Sequence, residues 1–159
     1  MKYIVRQKIW SFKDKFIIRD EFENDRYMVE SKIFTLGNQL HLYDMHGNSL
    51  LFIKQKLFRL LPEYEIYSGD QLFAILKKKL SFFKAKIDID QNGTAYNIAG
   101  DIWAHEFTVS CGGTVVATVS KTWFTWSDTY GVDVSAGEND AWILALVICI
   151  DQILYDKKG

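Results

Sequence analysis

The chain has 159 residues, 48% of them apolar, 15% aromatic and 25% charged, with a single proline. These values suit one domain over residues 1–159 with a sizeable core, and they exclude both a disordered chain and two ordinary domains. Net charge is −1, but residues 1–86 carry +6 and residues 87–159 carry −7, which gives a dipolar surface unless the two halves interleave in space and cancel.

The opening stretch "MKYIVRQKIW" mixes charged and apolar residues and has no uninterrupted apolar run, so it reads as a strand and not as a secretory leader. Strand patterns then recur about every ten residues, with Gly, Asn and Asp between them. In order they are 3–9, 15–20, 27–33, 40–45 and 49–56, and, after "LFRLLP", 64–69, 71–79 and 82–89. Asn92-Gly93 marks a two-residue hairpin turn. The segments 95–100, 102–110, 114–124 and 130–135 follow. This gives about eleven or twelve antiparallel strands. "QLFAILKKKL" also suits a short helix.

The last segment is different. "AWILALVICI" (141–150) is apolar without a break and is bounded by Asp140 and Asp151. Ser135 and Glu138 have the spacing of a capping box, and Asn139 is a second candidate cap. A helix of about 16 to 18 residues is expected. A membrane span needs about 20 predominantly apolar residues, and this run is too short. A surface helix carries only an apolar stripe, whereas this one is apolar on every side for nearly three turns. It must be surrounded. In a chain otherwise made of strands, the economical arrangement is a closed β-barrel with the helix at its centre.

The stretches "QKIWSFKDKFIIRDEFENDRYMVESKIFTLGNQLHLYD", "FIKQKLFRLLPEYEIY" and "ENDAWILALVICIDQI" resemble, in order and over nearly the whole chain, the LURP-one-related family of the small bacterial type. That family is similar to the C-terminal domain of tubby proteins and, more distantly, to phospholipid scramblases. The resemblance implies a twelve-stranded barrel around a hydrophobic C-terminal helix. It also implies an anionic headgroup as a ligand class, since tubby domains bind phosphoinositides through basic residues on the barrel surface. Their binding residues have no one-to-one counterparts here, so no site is transferred.

Two basic segments are the candidate site. Lys54, Lys56 and Arg59 lie in "KQKLFR", and Lys77, Lys78, Lys79, Lys84 and Lys86 in "KKKLSFFKAK". Lys54 and Lys56 share strand parity, as do Lys84 and Lys86, so each pair points to one face. If the segments adjoin, Lys54, Lys56, Arg59, Lys84 and Lys86 form an anion patch for phosphate headgroups; otherwise they are a solvated outer face.

Other constellations carry less. "DIDQNGTAYNIA" begins like a calcium loop, but Ala99 stands where the twelfth-position Glu is needed, so it reads as a hairpin. His41, His46 and His105 show no zinc spacing, and His105-Glu106 is not a zincin motif. Cys111 and Cys149 read as free thiols of a reducing cytosol, with nothing in the sequence to activate Cys111. "TWFTW" (Trp123, Phe124, Trp126) packs in the wall or stacks on a ligand.

No catalytic signature, metal or cofactor is expected, nor a nucleic-acid partner. The leading reading is a cytoplasmic, peripherally membrane-associated binding domain for anionic lipid headgroups or phosphate groups. A protein-interaction scaffold with no lipid ligand, and an enzyme with a site on the barrel rim, are the alternatives.

Overall fold

A computed structural model describes residues 1–7, 15–34, 37–81, 86–124 and 128–155. Among them twelve strands and one helix follow in order: β1 (Lys2–Arg6), β2 (Lys15–Asp20), β3 (Asp25–Phe34), β4 (Gly37–Asp44), β5 (Ser49–Gln55), β6 (Glu63–Ser68), β7 (Gln71–Lys79), β8 (Lys86–Gln91), β9 (Thr94–Asp101), β10 (Glu106–Cys111), β11 (Thr114–Ser120), β12 (Thr129–Val134) and α1 (Asp140–Tyr155). Each strand is antiparallel to its sequence neighbours, and β1 pairs with β12, so the sheet closes into a barrel.

Period-two burial sets the register. Leu40 lies opposite Ile53, Ile53 opposite Ile66, and Ile66 opposite Ala74. All four are buried, giving one apolar row across β4, β5, β6 and β7. A one-residue slip of any of these strands would turn its aliphatics to solvent, so the pairing is tightly specified.

The expected plug is there. α1 passes through the barrel, and Trp142 to Leu154 are buried. Burying each Ile, Leu or Val of this segment is worth about 1.5–3 kcal/mol. Asn139 caps the helix: its side-chain oxygen accepts from the Trp142 amide at 3.1 Å. The Ser135–Glu138 box, the first candidate, is not used, because the Ser135 hydroxyl donates instead to the Val115 carbonyl at 2.9 Å. The first turn is held to the wall by Trp142, whose indole N–H donates to the Tyr96 hydroxyl at 3.2 Å and whose ring meets Phe73 edge-on. Tyr3 donates its hydroxyl proton to the Asp140 carboxylate.

Several expected boundaries move. Residues 71–79 are strand throughout, not helix. The segment 102–110 begins as a loop: His105 sits in left-handed backbone at φ 55°, so β10 starts only at Glu106. β11 ends at Ser120, and Trp123 and Phe124 lie over Gly131, where an added Cβ would come within 2.6 Å of the indole. Trp126 and the first residues of the expected strand 82–89 lie outside the described residues.

The strand directions give the barrel two unlike ends. One, the turn end, carries the tight connections at 21–24, 45–48, 69–70, 92–93 and 112–113, and the start of α1. The other, the loop end, carries residues 56–62, Leu80, residues 102–105 and the last turn of α1. Asn92-Gly93 forms the expected hairpin, both residues having positive φ, and the Gly93 amide donates to the Asp90 carboxylate at 2.8 Å.

Candidate functional site

The two basic segments meet on one wall of the barrel at its loop end, but they are not adjacent strands. β6 stands between them. Lys54 on β5 lies opposite Glu65, Glu63 on β6 lies opposite Lys77, Lys77 lies opposite Asp88, and Lys79 lies opposite Lys86.

These carboxylates organise most of the cations. The Glu63 side chain is only 12% exposed and gathers Lys56 at 3.7 Å, Arg59 at 3.6 Å and Lys77 at 3.9 Å. Lys56 also reaches Glu65 at 3.9 Å, and Lys79 pairs with Asp88 at 3.3 Å. Lys54 and Lys86 are exposed, and among the described residues no ion pair engages either. Lys84 lies outside the described residues. Lys78 differs from its neighbours: it has the inward parity of Leu76, opposite buried Ile87, and sits at the barrel rim.

On this part of the wall Lys54, Lys56, Arg59, Lys77, Lys79 and Lys86 face Glu63, Glu65 and Asp88, a surplus of three positive charges. The sequence reading missed the intervening acids, although their signal was present: Glu63 and Glu65 share outward parity in "PEYEIY".

Between Lys56 and Glu63 the β5–β6 loop displays its apolar residues. Phe58 is 99% exposed and Leu60 94%, and Leu80, at the end of β7, is 86% exposed. The loop base is fixed. The Lys56 amide donates to the Glu63 carbonyl at 2.8 Å, and the Lys78 amide donates to the Pro62 carbonyl at 2.9 Å. Leu57 folds back, with a methyl 3.0 Å from the Cβ that Gly37 lacks. Phe58 sits at φ 59°, which is rare for a bulky aromatic, and its ring points outward. In the sequence, "LFRLLP" read only as a connection.

Beneath the loop end is a second constellation that the sequence did not disclose. His105 Nε2 lies 2.6 Å from Asp151 Oδ1, and both side chains are buried. The imidazole stacks on Tyr130 at 4.6 Å, and Tyr155 lies beyond it at 6.5 Å. Burial pushes the Tyr130 phenol well above its ordinary range. Glu106, the neighbour that the sequence pairs with His105, instead points outward and accepts from the Lys121 amide at 2.9 Å. The His105–Asp151 contact bridges 46 residues and ties the end of α1 to the β9–β10 loop. Cys149 is buried among apolar groups, which raises its thiol far above the reactive range.

A cleft of about 560 Å³ lies between β8 and β9, where Lys86, Ile87, Ile98 and Ile102 are among its lining residues. The two strands pair only at Ile89–Tyr96, Asp90–Ala95 and Gln91–Thr94 and then part toward the loop end.

Comparison with known proteins agrees with this architecture. The LURP-one-related family model matches residues 1–151. The uncharacterized protein YxjI of Bacillus subtilis (strain 168) is 37% identical over 158 residues, which cover 99% of this chain and 96% of that protein. The X-ray structure of a protein from Arabidopsis thaliana, AT5G01750, superposes with a TM-score of 0.69 at 16% identity, covering 96% of this chain and 90% of that one. At that identity the likeness is one of fold.

Proposed function

This chain belongs to the LURP-one-related family, and from that premise we propose that it is a non-catalytic binding domain that docks anionic lipid headgroups at a membrane surface through the basic wall of its loop end. The observation that supports this reading most is the pair of exposed lysines, Lys54 and Lys86, on a wall whose remaining cations already outnumber its carboxylates. Lys56, Arg59 and Lys77 serve the site differently. Their charges are held in place and partly offset by Glu63 and Glu65, so each adds less to the attraction than Lys54 or Lys86.

Charge alone is a weak anchor. A basic residue near an anionic surface contributes about 1 kcal/mol, so a surplus of three supplies about 3 kcal/mol, which is weaker than a millimolar dissociation constant. Charge attracts the protein to the membrane, but further contacts are needed to hold it there.

Co-sedimentation with vesicles of phosphatidylcholine, with and without phosphatidylglycerol, tests the reading. The protein should prefer the anionic vesicles, and binding should fall as salt rises. Lys54→Glu with Lys86→Glu should weaken that preference at an unchanged melting temperature, because both side chains are exposed. Equal binding to both vesicle types, or a preference untouched by the double reversal, would remove these lysines from the site.

A further inference from the structure

We infer that Phe58 and Leu60, joined by Leu80, are membrane-inserting tips that enter the acyl region of a bilayer while the surrounding cations engage its headgroups. This deepens the docking reading above and rests on it for the orientation of the molecule.

Three observations carry it. First, the exposure is extreme and lies at one end of the barrel. Two of the three tip residues lie in one short loop, and all three are 86% exposed or more. Isolated surface apolar residues are ordinary, whereas side chains of this size thrown fully outward together mark a contact surface. Second, the display is built. The loop base is pinned by the Lys56–Glu63 and Lys78–Pro62 backbone bonds, Leu57 is tucked against Gly37, and Phe58 is held in left-handed backbone. A loop free to collapse would bury its phenyl ring on the barrel. Third, the surroundings match one occupant. The tips project from the wall instead of lining a groove, so they suit a phase that yields around them. Arg59 lies between Phe58 and Leu60 in sequence, with Lys56 and Lys77 nearby on Glu63. This places cations at headgroup level when the apolar side chains are below it, the arrangement of an interfacial anchor.

The tips also supply what the charges lack. The wall alone holds a membrane more weakly than millimolar, and burying two or three such side chains moves the apparent constant toward the micromolar range.

The test uses the full chain and the same two vesicle types. Phe58→Ser with Leu60→Ser should lower affinity for anionic vesicles by about tenfold or more while leaving its salt dependence, and the melting temperature, unchanged. If the parent binds anionic vesicles and the serine variant binds them equally well, the insertion is wrong and the charge reading stands. If the parent binds anionic and neutral vesicles alike and the serine variant binds neither, the insertion holds and the charge reading fails. Absence of parent binding to either vesicle, or a serine variant that loses only capture of a protein partner, overturns the insertion.

Discussion

Asp20 and Asp44 show how single residues close this barrel. Each begins a turn of the form Asp-x-x-x-Asn. Asp20 Oδ1 accepts from the amides of Phe22 at 2.9 Å and Asn24 at 3.0 Å, while its Oδ2 takes the Asn24 side chain at 3.2 Å and Arg26 at 3.3 Å. Asp44 repeats the pattern with His46 and Asn48, each bond being 2.9 Å. At Asp20 loss of hydration works to raise the carboxyl, but the bonds from Asn24, Phe22 and Arg26 together hold it below its ordinary range. At Asp44 the Asn48 side chain leads in lowering it. A carboxyl lowered by folding contributes stability above its unfolded value, near 3.8, and loses it as pH falls through the folded value. Asp44→Asn should therefore be less stable than the parent at neutral pH, with a gap that closes as pH falls from about 4 toward 2. Urea midpoints measured across that range check it; a constant gap would remove the charge from the account. Both connections were legible from the Asn and Asp residues between the strand patterns, because Asp and Asn bond their own backbone, although the first turn was expected at 23–26 and lies at 21–24. Glu63 was not legible as a hub, because the cations it gathers come from two separate elements, Lys56 and Arg59 from the β5–β6 loop and Lys77 from β7.

At the scale of elements, the helix was the most readable part of the chain. A segment apolar on every side admits few environments, and its length ruled out a span. Among the described residues no helix is long and apolar enough to cross a membrane. The strands followed from period two, and their number from the turn residues. What the sequence could not show was placement across distance. His105 looked like a neighbour of Glu106, yet its left-handed backbone turns it inward to Asp151. The tips escaped notice because "LFRLLP" is legible as a connection, but composition does not say whether a loop's apolar side chains fold back, as Leu57 does, or project, as Phe58 and Leu60 do. The helix carries its own test. Leu146 is fully buried, and Leu146→Asp would place an unpaired carboxylate inside the barrel at a cost of several kcal/mol, against a total of about 5–15 kcal/mol for a domain. The variant should fail to give a cooperative thermal transition in circular dichroism. Parent-like melting would mean that α1 is not the core.

The whole molecule is polar along the barrel axis. The turn end carries Asp20, Glu21, Glu23, Asp44, Asp70 and Asp140; the loop end carries the six cations of the wall and the apolar tips. The split between the two halves of the sequence did not foreshadow this axis: five of the six turn-end acids lie in the net-positive half, and the arrangement comes instead from strand directions that bring the basic segments of β5 and β7 to the loop end. The barrel is apolar inside and charged outside, the reverse of a membrane-spanning barrel with its apolar outer band. The loop end combines these cations with the most exposed apolar side chains, Phe58, Leu60 and Leu80, and it is the end proposed to face a membrane; Phe22 at the turn end is 70% exposed. Hydrogen–deuterium exchange with and without anionic vesicles tests this orientation most directly. Slowed exchange of the amides of residues 56–61 and 80–81, with residues 21–24 and 45–48 unchanged, is the predicted result. Slowing at the acidic turns, or exchange at 56–61 indifferent to vesicles that the protein binds, would contradict docking through the loop end.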